Sequence, residues 1–276
     1  MKVYAVSKLH SLAVDRVVSA LYKYSPPHIE FVDNPKIADL ILMHINGRLK
    51  TNTRTIEYYN KPHVIIQYAV KSTLNEDPAE WMPMWQGAEL VWSYLPLKGD
   101  FVFYHSPLGV ESDIFYNRSK RRIYNTMTTG SGYLSETVRE VILASRRVGY
   151  SVVHLGSDFK KAYVDKYVSG ISDNELAELY SQCEYVSGLR RNEGFELPAA
   201  EGLMCGARPI LYDRKHYKDW YDGLALFIPE TDRDQIVVDL EALYRFGLVP
   251  VTPDEMAEAK DRFDWKQILK GFWSYL

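Results

Sequence analysis

The sequence predicts an α/β protein made of two parallel-sheet domains. Apolar runs of strand length recur along the chain, and amphipathic helical stretches separate them. Near residue 115 the alternation breaks into Pro, Gly and charge and then restarts. Strands that alternate with helices form sheets covered on both faces, so each strand reads as a nearly unbroken apolar run. At 276 residues and 46% hydrophobic, the chain can bury either one large core or two smaller ones.

In the first half KVYAV, IEFV, ADLILMHI, HVIIQYAV, AELVWSYL and FVFYH read as short buried strands. Between the first two, LAVDRVVSALYKY places Leu12, Val14, Val17, Val18 and Leu21 on one helical face. WMPMWQGA reads as an irregular loop of the kind that lines a cleft. SPLGVESDIFYNRSKRR is the crossing, so the first domain is expected over residues 1–112 and the second over 113–276. There IYNTMTTGSGY gives a strand and a Gly-rich turn, SETVREVILASRRVG a helix opening on a Ser…Glu cap, and SVVHLGS a strand. Ser172 or Asp173 can cap the helix SDNELAELYSQC; CEYVSGL follows as a strand. RPILYD and LALFIP read as strands and DQIVVDLEALYRFG as a helix.

The last stretch, PDEMAEAKDRFDWKQILKGFWSYL, reads as a pair of amphipathic helices. Phe263, Trp265, Ile268, Leu269, Phe272 and Trp273 make it too apolar to remain undocked, so residues 254–276 are expected to pack back on the first domain. Two such sheets bind ligands at the carboxyl ends of their strands, which places the expected cleft between the domains.

A formal net charge of −3 gives no overall pull toward polyanions. The basic clusters RSKRR (Arg118 to Arg122) and Arg146-Arg147 read first as a solvated linker and a solvated helix face, and only second as a polyanion site. Cys183 and Cys205 lie in segments that read as helices, without zinc-ligand spacing, which fits a reducing compartment. MKVYAVSKLH lacks an apolar signal core, and no run of about 18 apolar residues occurs. The expected location is the cytoplasm, or the periphery of a membrane. Aromatic residues make up 13% of the chain and suit stacking on sugars or bases, although core packing accounts for most of them.

The segment NEGFELPAAEGLMCGARPI carries the chemistry. Pro198 suits the first turn of a helix from about Leu197 to Cys205, ended by Gly206. Its free amides and dipole favour an anion such as a diphosphate, and Gly194 lets the backbone approach a ligand. Glu193 before the helix and Glu201 within it can accept bonds from vicinal hydroxyls. The plainer alternative makes Glu193 a loop charge and Glu201 a surface residue paired with Arg208.

The pattern Glu-Gly-Phe-x-Leu-Pro-x-x-Glu-Gly-x-x-Cys-Gly-x-Arg-Pro resembles the donor-site signature of the retaining glycosyltransferases of family 4, which have the GT-B fold. DNELAELYSQCEYV resembles the helix and strand before that signature, GVESDIF the interdomain crossing, and FDWKQI the closing helix. The resemblance covers about residues 107 to 276, and the first domain only in outline. It implies two Rossmann-like domains facing a cleft and a nucleotide-sugar donor, such as a UDP- or GDP-hexose, as co-substrate. The acceptor would be a hydroxyl of a glycan, lipid or other molecule. No cofactor or metal is implied, and a homodimer is left open.

By the same resemblance, Glu201 binds the nucleotide ribose and Glu193 contacts the donor sugar. The amides of Gly194, Phe195, Glu196 and Leu197 hold sugar and phosphate, and the Gly130-Ser131 turn faces the diphosphate. The sequence departs from the family at three places. TMTTGSGYLSE lacks the Arg and Lys that neutralise the leaving diphosphate, with Arg190 and Arg191 the nearest substitutes. Glu196 stands where the family commonly has Gly, and could bond a sugar hydroxyl as a specificity residue. Tyr68 stands near the family's strand-end His, whose role His44, or else His10, could take. Retention without an evident nucleophile suggests front-face attack, with Glu193 orienting the sugar rather than bonding to it. Two other readings remain: a non-catalytic nucleotide-sugar binding protein, and a glycosyltransferase acting on nucleic acid, motivated by RSKRR and by Trp81, Trp85 and Trp92.

Overall fold

The computed structural model describes residues 1–6, 12–45, 49–68, 78–119, 121–130, 136–156, 163–191 and 193–276. Among these residues the chain forms two compact units. Unit 1 is Met1–Gly109 with Glu193–Phe195 and Trp265–Leu276; unit 2 is Val110–Asn192 with Glu196–Asp264.

The first stretch contains β1 (Lys2–Val6), α1 (Leu12–Lys23), β2 (Glu30–Phe31), β3 (Leu40–Ile45) and α2 (Leu49–Tyr59). It continues with β4 (His63–Gln67), α3 (Pro78–Gln86), β5 (Leu90–Ser93) and β6 (Phe103–His105). Then come β7 (Tyr124–Thr129), α4 (Val138–Arg147), β8 (Val152–Leu155), β9 (Lys166–Val168), α5 (Asp173–Ser181) and β10 (Cys183–Ser187). After them follow α6 (Leu197–Met204), β11 (Arg208–Tyr212), α7 (Lys215–Tyr221) and β12 (Leu226–Ile228). The chain closes with α8 (Arg233–Phe246), α9 (Pro253–Phe263) and α10 (Trp265–Trp273).

Unit 1 holds a six-stranded parallel sheet in the order β2-β1-β3-β4-β5-β6. Every residue of β3 and β4 is buried, which is why LILMHI and HVIIQ carry no polar alternation. WMPMWQGA is not a loop: α3 runs through it, with Trp81 and Trp85 one turn apart and fully buried. Pro83 inside that helix costs roughly 3 kcal/mol. Two buried indoles, at about 25 cal/mol per Å² over 150–250 Å² each, outweigh it. The helix α2 has no counterpart in the sequence reading because LKTNTRTIEYY is polar, and Thr53 and Thr55 turn their hydroxyls back to the carbonyls four residues earlier. Leu49, Ile56 and Tyr59 still pack it on the core. The helix α10 belongs to this unit, with its Trp265 edge-on to Trp92 and its Ile268 carbonyl accepting from Tyr104 at 2.6 Å, whereas α9 belongs to unit 2.

Unit 2 holds a second six-stranded parallel sheet, in the order β12-β11-β10-β7-β8-β9. The chain starts at the centre with β7, builds outward through β8 and β9, and crosses back to place β10 on the other side of β7. Such a reversal opens a crevice at the carboxyl ends of the two central strands. Ser172 and Glu175 form the expected capping box on α5. The helix α4 starts later than expected, at Val138 behind Thr137 at φ 52°, and no side chain caps it; Ser135 lies outside the described residues. Cys183 opens a strand rather than lying in a helix.

The helix α6 starts at Leu197, with Pro198 in its first turn, and lies close on β10 because Gly202 has no side chain. A Cβ there would stand 2.5 Å from Val186 Cγ1. Gly202→Ala should therefore lift α6 from the sheet at a cost of about 1–3 kcal/mol. At roughly 2–4 °C per kcal/mol the melting temperature should fall by several degrees, and an unchanged melting curve would show that the packing is looser than this.

Candidate functional site

In unit 2, β7 ends at Thr128-Thr129-Gly130 and β10 at Ser187-Gly188-Leu189-Arg190, the two sides of the strand-order reversal. The Arg190 guanidinium joins them. Its Nη2 donates to the Thr129 carbonyl at 3.2 Å and to the Thr129 hydroxyl, and its Nη1 donates to a Glu196 carboxylate oxygen. Glu196 is 0% exposed and stands at the N-cap of α6, yet its side chain caps no amide. Instead its other carboxylate oxygen accepts from Tyr217 at 3.3 Å, while its carbonyl accepts from Tyr221 at 2.8 Å. Those two tyrosines lie one turn apart on α7. Burial holds the Tyr221 phenol well above its ordinary pKa, with Glu196 and Glu201 adding to the effect.

One turn into α6, Glu201 is 3% exposed and accepts from the Tyr180 hydroxyl at 3.2 Å. It is not the surface partner of Arg208. That guanidinium is bidentate to Glu255 at 2.7 and 2.9 Å and donates to the carbonyls of Leu224, Val249 and Pro250. On the other side of β7, His154, one residue before the end of β8, has Nδ1 2.8 Å from the Thr128 hydroxyl. Burial lowers its pKa, against the pull of the Glu136 carboxylate and the Gly130 backbone. Gly130 itself has φ 130°, and Ser131 lies outside the described residues.

Gly130, Arg190, Glu196, Leu197 and Glu201 thus come together in unit 2. Arg191 turns away, to Glu230 at 3.2 Å and the Thr231 carbonyl at 2.8 Å. Glu196 has no exposed surface and is held by its own cation and tyrosine. In unit 1, Glu193 is exposed, whereas Gly194 and Phe195 are buried, the latter ring 6.0 Å from that of Tyr94. His44, at the carboxyl end of β3, has Nδ1 2.9 Å from the Tyr68 hydroxyl, and burial pushes its pKa down to about 4. His10 lies outside the described residues.

Sequence motifs did not point to Thr129, His154, Tyr180, Tyr217 or Tyr221; the only signal was the pair of tyrosines four apart in KHYKDWY. Several arginines of the basic clusters have partners within the chain. Arg122 donates to the carbonyls of Ser181, Cys205 and Gly206, where α5 and α6 end. Arg118 donates to Ile114 and Asn174, Arg146 pairs with Asp165, and Arg147 pairs with Glu241. Trp81, Trp85 and Trp92 are core residues with no face open to a base. The buried indoles offer no stacking face for the nucleic-acid reading. Asp232-Arg233-Asp234 has a spacing often met in cation ligands, but Asp232 caps α8 by accepting from the amides of Asp234 and Gln235. Among the described residues no group of three metal-ligating side chains occurs, and no helix is long and apolar enough to cross a membrane.

Two six-stranded parallel sheets covered by helices, one of them carrying this constellation at its reversal point, define the GT-B glycosyltransferase fold, and solved structures agree. Sucrose-phosphate synthase from Thermosynechococcus elongatus matches 86% of this chain over 73% of its own, with a TM-score of 0.68 at 14% identity. Anabaena Alr3699/HepE, solved in complex with UDP, matches 100% of this chain over 99% of its own, with a TM-score of 0.68 at 11% identity. The pneumococcal O-GlcNAc transferase GtfA, in complex with UDP and GlcNAc, matches 85% of this chain over 56% of its own, with a TM-score of 0.63 at 16% identity. No family model and no curated protein sequence matches the chain.

Proposed function

We propose that this chain is a retaining glycosyltransferase of the family 4 type, which moves a hexose from a nucleotide-sugar donor to a hydroxyl acceptor. The observation that carries the reading is Glu201, buried in the first turns of α6 beside the strand-order reversal of unit 2, where α/β sheets receive nucleotides. The UDP and UDP-glucose complexes of HepE, a chain of the same fold and length, support a sugar nucleotide as the ligand.

In this reading Glu201 accepts from the ribose hydroxyls, the amides at the start of α6 and the Gly130 turn meet the diphosphate, and Glu193 orients the sugar. By the resemblance His44 takes the part of the strand-end His, as a ring whose pKa burial lowers to about 4. The acceptor oxygen forms a bond to the anomeric carbon as the bond to the diphosphate breaks. Its proton passes to a phosphate oxygen, and a glycoside and a nucleoside diphosphate leave. The protein positions the reactants and stabilises charge.

A panel of UDP-, GDP-, ADP- and dTDP-sugars tests the reading without knowledge of the acceptor. One of them should raise the melting temperature, by an amount worth about 2.7 kcal/mol at a hundredfold excess over its Kd, and should be hydrolysed slowly. Failure of all four to stabilise the chain would contradict the reading. The absence of an Arg and a Lys from TMTTGSGYLSE favours a second reading: a nucleotide-sugar binding protein without catalysis. Stabilisation with neither hydrolysis nor transfer would select it.

A further inference from the structure

Glu196 places a negative charge at the start of a helix whose amides favour an anion. On its own, that charge would repel a diphosphate. The chain does not leave it on its own. Arg190, six residues earlier, reaches across the reversal point, with Nη2 donating to Thr129 and Nη1 to Glu196. We propose that the two act as a unit, in which Arg190 supplies the cation for the donor's diphosphate and Glu196 is the positioning residue that fixes the guanidinium across the ends of β7 and β10. The inference rests on the glycosyltransferase reading above.

Three observations carry it. The first is place. Thr129 ends β7, Arg190 follows the end of β10 by three residues, and the guanidinium bridges Thr129 and the Glu196 carboxylate at the start of α6. Its side chain keeps 13% of its surface exposed, while Glu196 behind it keeps none, so the exposed part of the pair is the cationic part. The second is rigidity. Tyr217 holds the carboxylate and Tyr221 the carbonyl of Glu196, and Gly188 makes room beneath it. A Cβ on Gly188 would stand 3.2 Å from Glu196 Cγ and 2.6 Å from Leu211 Cδ2. The third is energetic. Replacing a buried ion pair by apolar residues is often neutral or stabilising, so stability alone is a weak reason to hold one here. A fixed cation that needs no reorganisation when charge develops on a leaving phosphate is a strong reason.

The pair also accounts for the missing cations of the Gly130 loop. Arg191 and Arg214 both turn to Glu230 and so do not compete for the role. Arg190 is a single cation in place of two, and its charge is shared with Glu196. Binding of the diphosphate is therefore expected to depend on the fork geometry of arginine as well as on its charge.

The test measures binding of UDP, GDP, ADP and dTDP against the corresponding nucleosides, which isolates the diphosphate. Wild-type protein should prefer one diphosphate over its nucleoside by a hundredfold or more. Arg190→Ala should reduce that preference at least tenfold with nucleoside binding unchanged, and Arg190→Lys should restore it only in part. The double variant Arg190→Met/Glu196→Leu removes both charges of the pair together, so it should fold, bind the nucleoside and lose the preference. Glu196→Gln should lower kcat for donor hydrolysis about tenfold with little change in KM, because the cation stays but is no longer fixed.

If Glu196 only neutralised its neighbour, Glu196→Gln would instead tighten diphosphate binding and leave kcat intact, which would overturn the positioning role. Arg190 variants that keep the wild-type preference would overturn the inference alone. A wild-type chain that binds none of the four diphosphates would overturn the glycosyltransferase reading together with it.

Discussion

Glu201→Ala is expected to reduce nucleotide-sugar turnover at least a hundredfold while the protein remains folded. Each tenfold loss corresponds to about 1.36 kcal/mol of transition-state stabilisation, so a hundredfold requires the loss of roughly two good hydrogen bonds to ribose hydroxyls. The substitution also removes an acceptor of the buried Tyr180 hydroxyl, a hydrogen bond worth about 0.5–1.5 kcal/mol. The melting curve should shift by a few degrees and stay cooperative. Glu201→Gln keeps the volume and one acceptor oxygen, and should fall between wild type and alanine in kcat/KM. Wild-type turnover by Glu201→Ala would remove the residue from the site.

The second large effect concerns stability. Arg208 is buried, bidentate to Glu255, and bound to three carbonyls on the segments before α9 and β12. Breaking such a pair typically costs about 3–5 kcal/mol. Arg208→Ala should therefore lower the denaturant midpoint strongly and the melting temperature by about 10 °C. A loss below about 1 kcal/mol would show that the pair behaves like a surface salt bridge.

The same pair predicts an acid dependence. Desolvation pushes the Glu255 carboxyl up, but bonds from Arg208 and Thr252 outweigh it and hold the group below its ordinary value. A depressed pKa means that the stabilisation is fully present above the unfolded value of about 4.3 and is lost as pH falls through the lower folded one. Wild-type stability should decline across that acid window, and the decline should be shallower in Arg208→Ala. Equal slopes in the two proteins would contradict the assignment.

The sheets were legible in the sequence because parallel strands are covered on both faces, so β1, β3, β4, β10 and β11 stood out as apolar runs bounded by turns. The elements that did not stand out each hid that signal. The helix α2 carries threonines and an asparagine where a helix usually carries leucine, α3 contains a proline, and β9 is a three-residue edge strand. The start and end of α6 were legible from Pro198 and Gly206, and Glu201 from its place in the motif.

The electrostatics of the site were not legible. A glutamate in a loop reads as solvated, and nothing in the spacing joins Arg190 to Thr129, 61 residues earlier, or Glu196 to Tyr217, 21 residues later. These partners meet only because β7 and β10 are neighbours and α7 packs against the start of α6. Within RSKRR the partners of Arg122 were equally hidden, since carbonyls at the ends of α5 and α6 accept from this half-buried arginine without leaving any mark in the sequence.

The central claim is that unit 2 holds a sugar nucleotide at the start of α6. Calorimetric titration of the wild-type chain and of Glu201→Ala with UDP-glucose, GDP-mannose, ADP-glucose and dTDP-glucose tests it most directly. The prediction is saturable binding of one of these at a single site per chain, abolished or weakened at least tenfold by Glu201→Ala. Absence of binding by all four, or identical binding by wild type and variant, would contradict it.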